Sequence, residues 1–134
     1  MSEFFSQWFC NLNTSYSLII EDDERVAYAY LMKEEDIIGD IWLYNQIPPP
    51  IIVDWEDTDD MPFLNPKEYV KECIPPIINE NAIELKWTLI DNNETVKEVD
   101  IYINKKLIAK LSPESKPGWS KVVTKDGPLA KVYI

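Results

Sequence analysis

Apolar positions along most of this chain recur at every second residue, the spacing that places them on one face of a strand. Val26, Tyr28, Tyr30 and Met32 alternate with Arg25, Ala27, Ala29 and Leu31. Tyr16, Leu18 and Ile20 share one side of the preceding segment, and Glu21-Asp22-Asp23-Glu24 separates the two as a charged turn, so 16–32 reads as a hairpin. Ile37 to Tyr44 is apolar on both alternating faces apart from Asp40, which predicts a strand central to its sheet, and Pro48-Pro49-Pro50 ends the ladder because proline donates no amide hydrogen. Further along, Ile83, Leu85, Trp87 and Leu89 alternate with Glu84, Lys86 and Thr88, and the pattern resumes at Val99, Ile101 and Ile103 and at Leu107, Ala109 and Leu111. Turns are predicted at Asp91-Asn92-Asn93, at Asn104-Lys105 and, as a type I′ hairpin between Val122-Val123 and 129–134, at Asp126-Gly127.

Two segments depart from period two. Phe4, Phe5, Trp8, Phe9 and Leu12 follow the i, i+3, i+4 spacing of a helix face, with Ser2 as N-cap, so residues 2–12 are expected to be a short helix that Trp8 staples to the sheet. Residues 47–80 hold seven of the ten prolines and form a long acidic loop, in which Asn65 as cap and Pro66 at the first helical position predict about two turns of helix before Pro75. The fold class expected is mainly β (α+β): an antiparallel sheet or sandwich of about eight strands. At 134 residues the chain is expected to be one domain, 1–134, with that loop inside it.

Charge sharpens the picture. The net charge is −11, and residues 1–80 carry 17 acids against 4 bases while the remainder carries 7 acids against 9 lysines. Such a field repels nucleic acid and anionic lipid and speeds the approach of a basic protein. No segment reaches the roughly 20 apolar residues of a membrane span, the first residues lack the basic start and apolar run of a signal peptide, and Cys10 and Cys73 form no CxxC. A soluble cytoplasmic protein with free thiols is the expectation.

The chain has no histidine, which removes Ser-His, Cys-His and His-ligated metal chemistry, and its three glycines form neither a GxGxxG nor a Walker loop. No cofactor is expected. Asp54, Glu56, Asp57, Asp59 and Asp60 could offer a catalytic carboxylate pair or a calcium site, but acids in a proline-rich loop are solvated and the EF-hand glycine and glutamate are missing. Asp40 reads as an acid facing solvent or a basic neighbour. Trp42, Trp87, Tyr28 and Tyr30 read as core or sheet-face residues. Trp55 and Trp119 stand in irregular, proline-flanked segments, either as interface anchors or as covers folded back on the core.

The Tyr16–Asp22 strand, the Ile38-Gly39-Asp40-Ile41-Trp42-Leu43-Tyr44-Asn45 run and the Pro62-Phe63-Leu64-Asn65-Pro66 segment resemble small cytosolic proteins of bacterial polymorphic toxin systems. In size, acidity, lack of an export signal and lack of catalytic residues the chain is similar to the immunity proteins of contact-dependent growth inhibition. The resemblance implies a non-catalytic protein that neutralises a basic, nuclease-type toxin. Asp54, Glu56, Asp57, Asp59 and Asp60 would supply charge where substrate phosphates lie, with Trp55 as anchor, Phe63 and Tyr69 completing the patch and Trp119 as a further contact. The alternatives are a carbohydrate-binding β-sandwich that stacks sugars on Trp55 and Trp119, and a carboxylate hydrolase.

Overall fold

The alternation written into the sequence becomes two sheets. The computed structural model describes residues 3–49, 51–57 and 61–134. The first sheet is an antiparallel meander of β1 (Glu3–Phe9), β2 (Tyr16–Asp23), β3 (Val26–Lys33) and β4 (Asp36–Asn45), in that order. The second runs β5 (Ile83–Ile90), β6 (Thr95–Ile103), β7 (Lys106–Leu111), β8 (Trp119–Ser120) and β9 (Lys131–Val132); its last pair, β8 with β9, is parallel. Leu18, Ile20, Leu31 and Ile41 from the first sheet share one buried cluster with Val99, Ile101, Ile108 and Leu111 from the second, so the core lies between the sheets. Burying such aliphatic side chains stabilises the fold by about 1.5–3 kcal/mol each. None of the helices among the described residues is long and apolar enough to cross a membrane.

Local chemistry sets the tight turns. Asn104 and Lys105 hold φ of 51° and 67°, the left-handed pair a two-residue hairpin needs, and Asp91, Asn92 and Asn93 hold 55°, 55° and 67°. β4 stands last in its sheet yet is paired on both sides. Its outer edge exchanges backbone hydrogen bonds with 114–118 and Leu129: Glu114 N to Ile38 O (2.7 Å), Gly118 N to Asp40 O (2.7 Å) and Trp42 N to Leu129 O (3.2 Å). The apolar run of the sequence, interrupted by Asp40, thus reflects a strand paired on both edges.

Three sequence expectations are corrected. The expected N-terminal helix is strand β1, whose exposure alternates strictly along its seven residues. The pairs Phe4/Trp8 and Phe5/Phe9 are four apart, a spacing that fits period two as well as a helical turn. Pairing with β2 decides between them: it sends Phe4 and Trp8 inward, their rings stacked at 6.4 Å, and leaves Phe5 and Phe9 outside. The expected helix after Asn65 is a single 3-10 turn, Lys67–Tyr69, without a side-chain cap. Helix growth stops there because the backbone of Tyr69 and Lys71 bonds to Thr124 and Val122 instead. The expected Asp126-Gly127 hairpin does not form. No glycine has positive φ; Asp126 Oδ1 accepts from Val132 N at 2.8 Å, and Gly127 bonds through its N to Ala130 O at 2.9 Å. Gly127 is small because a Cβ there would come within 2.9 Å of the Tyr69 ring.

Candidate partner-binding loop

The segment after β4 leaves the sheet at Pro48 and returns at Pro62, and its return, Pro62 to Asn65, is tied down by side chains of Arg25, Tyr28 and Asn45. Asn45 serves as a surrogate backbone: its Nδ2 donates to Asn65 O and its Oδ1 accepts from Asn65 N, both at 2.9 Å, while Trp42 Nε1 donates to the same Oδ1 at 2.8 Å. Tyr28 Oη donates to Phe63 O at 2.5 Å, and Arg25 Nη2 donates to Pro62 O at 3.1 Å. Arg25 also pairs with Asp23 at 3.0 Å. Burial raises the Asp23 carboxyl, but the Arg25 and Val26 amides and the Arg25 guanidinium outweigh it and hold the group below its usual value.

Deeper in, Tyr44 Oη donates to Asp22 Oδ2 at 2.5 Å and accepts from Ile77 N at 2.9 Å; Gln46 Nε2 donates to Asp22 Oδ1 at 2.6 Å. Asp22, fully buried, therefore joins β2, β4 and the return of the loop. Burial, then the bond to Asp22, pushes the Tyr44 hydroxyl far up, so it stays protonated and keeps donating.

Between these ties the loop carries apolar side chains into solvent. Ile51 is 82% exposed, Ile52 84%, Met61 58% and Trp55 37%. Trp55 meets Phe63 edge to face, with ring centroids 5.2 Å apart. A cleft of about 380 Å³ opens beside them, walled by Arg25, Ile47, Pro48, Ile52, Phe63 and Leu64. Asp54 O accepts from Asp57 N at 3.1 Å and Asp54 Oδ1 from Glu56 N at 3.1 Å, so the acids turn about one residue. Asp54, Glu56 and Asp57 are all exposed, beside Trp55. Asp59 and Asp60, expected in the same cluster, lie outside the described residues. No group of three or more acids, cysteines or histidines among the described residues is arranged to hold a metal ion.

The structure separates the remaining candidates. Tyr69 belongs to the C-terminal side: Lys125 Nζ lies 4.8 Å from its ring centroid and Gly127 packs against the ring. Trp119 lies on the outer face of the second sheet, in a cross-strand row Lys86, Asp100, Lys110, Trp119, Lys131. Lys110 and Lys131 stand 4.9 and 5.4 Å from its ring, cation–π contacts that occupy the surface a sugar would stack on. Asp40 is half-buried, and desolvation, partly opposed by Lys116, raises its carboxyl. Sequence reasoning missed Asp22, read as part of a charged turn, and the apolar members of the loop; Ile51-Ile52 directly after three prolines was the available signal.

The chain matches no family model, no curated protein and no solved structure.

Proposed function

We propose that the protein is a non-catalytic cytoplasmic inhibitor that binds a basic, nuclease-type toxin and occludes its active site. The observation that carries the reading is the 48–62 loop: Ile51, Ile52, Trp55 and Met61 exposed among Asp54, Glu56 and Asp57, on a segment that continues from β4 and is tied at its return, Pro62 to Asn65, by Arg25, Tyr28 and Asn45. A monomer gains nothing from exposing these side chains, whereas an interface needs apolar anchors within a charged rim, and tethering the loop lowers the entropy lost on binding. The acids beside the anchors would attract the cationic groups with which a nuclease holds phosphate. Lysines crowding Trp119 argue against sugar stacking on that face.

The first experiment is affinity purification of the tagged protein from its native host at low and high salt, followed by kinetics with the captured partner. One stoichiometric basic protein, released by salt, is expected. Replacing Asp54, Glu56, Asp57, Asp59 and Asp60 by Asn is expected to slow association and flatten its salt dependence. Trp55→Ala is expected to weaken binding at least tenfold, since a central anchor contributes about 2 kcal/mol or more. Unchanged kinetics in both variants would remove the loop from the interface.

A further inference from the structure

Strand β1 has one edge in the sheet and one in solvent, and the register says which residues face which way. Cys10 N donates to Tyr16 O at 3.0 Å, and β1 pairs with β2 without interruption from Glu3↔Asp23 to Phe9↔Ser17. Hydrogen-bonded and non-bonded pairs alternate along an antiparallel ladder. Phe4, Ser6 and Trp8 therefore turn their backbone groups toward β2, and Glu3, Phe5, Gln7 and Phe9 turn theirs outward. No backbone bond from a described residue reaches that outer edge.

Edge strands normally carry a lysine, a proline or a bulge that discourages further pairing. β5, the terminal strand of the other sheet, has Glu84, Lys86 and a register shift at Thr88/Leu89. β1 has none of these: Glu3 is its single charge, and residues 4–20 contain no charged side chain. On the outer face Phe5 is 61% and Phe9 60% exposed.

We propose that β1 is the dimerisation edge of this protein, where a second copy adds its own β1 antiparallel to form a continuous eight-stranded sheet. A two-fold axis through Ser6 makes the strand complementary to itself. Phe5 then opposes Gln7 of the second copy and Glu3 opposes Phe9, so each outward residue exchanges both hydrogen bonds and no like charges meet. Phe5 of each copy lies diagonal to the other's Phe5 and Phe9, about 7 Å apart and within reach of aromatic rings, while Phe4 opposes Trp8 on the inner face. The occupant follows from charge. A chain of −11 repels its own copy, least of all along an uncharged strand, and a basic partner finds no charge on that strand to steer it.

The two interfaces then respond to salt with opposite signs: screening weakens capture of a basic partner and tightens the dimer. Sedimentation equilibrium of the full chain, from micromolar to about 0.5 mM and at low and about 0.5 M salt, is expected to show a monomer–dimer equilibrium that shifts to dimer as salt rises. Phe5→Lys, at an exposed side chain, is expected to raise the dimer Kd at least tenfold with unchanged circular dichroism. Gln7→Pro removes one outward amide and is expected to do the same; should it unfold, Phe5→Lys decides. Hydrogen exchange adds a residue-specific readout, in which the amides of Phe5, Gln7 and Phe9 gain protection with concentration. A monomer at both salts, a dimer indifferent to Phe5→Lys, or a dimer that leaves those amides exchanging freely would each overturn the proposal.

Discussion

Removing a single oxygen tests how the long loop is held to the strands. Tyr44 Oη is bonded on both sides, donating to Asp22 Oδ2 and accepting from Ile77 N, in surroundings where Tyr44, Asp22 and Ile77 are 2%, 0% and 1% exposed. Tyr44→Phe keeps the ring and its packing but leaves the Ile77 amide without its acceptor and Asp22 Oδ2 without that donor. A buried polar group left unsatisfied costs about 1–3 kcal/mol, so the two together give a loss of about 2–6 kcal/mol. Against a total stability of about 5–15 kcal/mol for a domain, that is a large fraction. Urea titration followed by tryptophan fluorescence is the assay, with the midpoint falling and the slope unchanged. Asp22→Asn retains one carbonyl acceptor and can still receive the Gln46 side chain, so it is expected to cost less. The double variant is expected to cost less than the sum, because both changes remove the same Tyr44–Asp22 bond. A Tyr44→Phe loss below about 0.5 kcal/mol would refute the reasoning, since a typical net hydrogen bond already exceeds that.

Two further substitutions probe the seam between the sheets and the half-buried acid beside it. Gly118→Ala places a Cβ 2.5 Å from Lys110 O and 2.6 Å from Leu111 Cδ2, and backbone must move to admit it; a destabilisation of about 1–3 kcal/mol or more is expected in the same titration, and a neutral result would mean that the β4 seam is looser than it stands. Asp40 has a carboxyl that burial raises, so the folded state holds its proton more tightly than the unfolded chain does. Stability is then greatest below the ordinary carboxyl value and declines as pH rises through the raised one. Asp40→Asn is therefore expected to be slightly more stable than the native protein at pH 7 and equal to it near pH 3; a less stable variant at pH 7 would show that the Lys116 attraction outweighs desolvation.

What the amino-acid order determined by itself is the content of local, repeating signals. Period two over 26–32 and 83–89 marks strands because alternate side chains point to opposite faces whatever the neighbours, and Asn104-Lys105 makes its turn because asparagine tolerates positive φ cheaply. That 47–80 is a long loop and not a strand was legible too, because a proline-rich segment cannot join a ladder, but whether Trp55 faces solvent or the core was not. Tertiary structure decided everything that depends on a distant partner. Residues 3–9 satisfy two periodicities at once, and only the edge of β2 selects the strand. Asp22 looks like one more acid of a charged turn until Tyr44, Gln46 and the chain at Ile77 close around it. Gly127 reads as a turn glycine until Tyr69 packs on it. In each case the free energy that settles the outcome, a hydrogen bond satisfied out of water or a ring seated against backbone, comes from residues on another segment of the chain, and a local pattern carries no record of them.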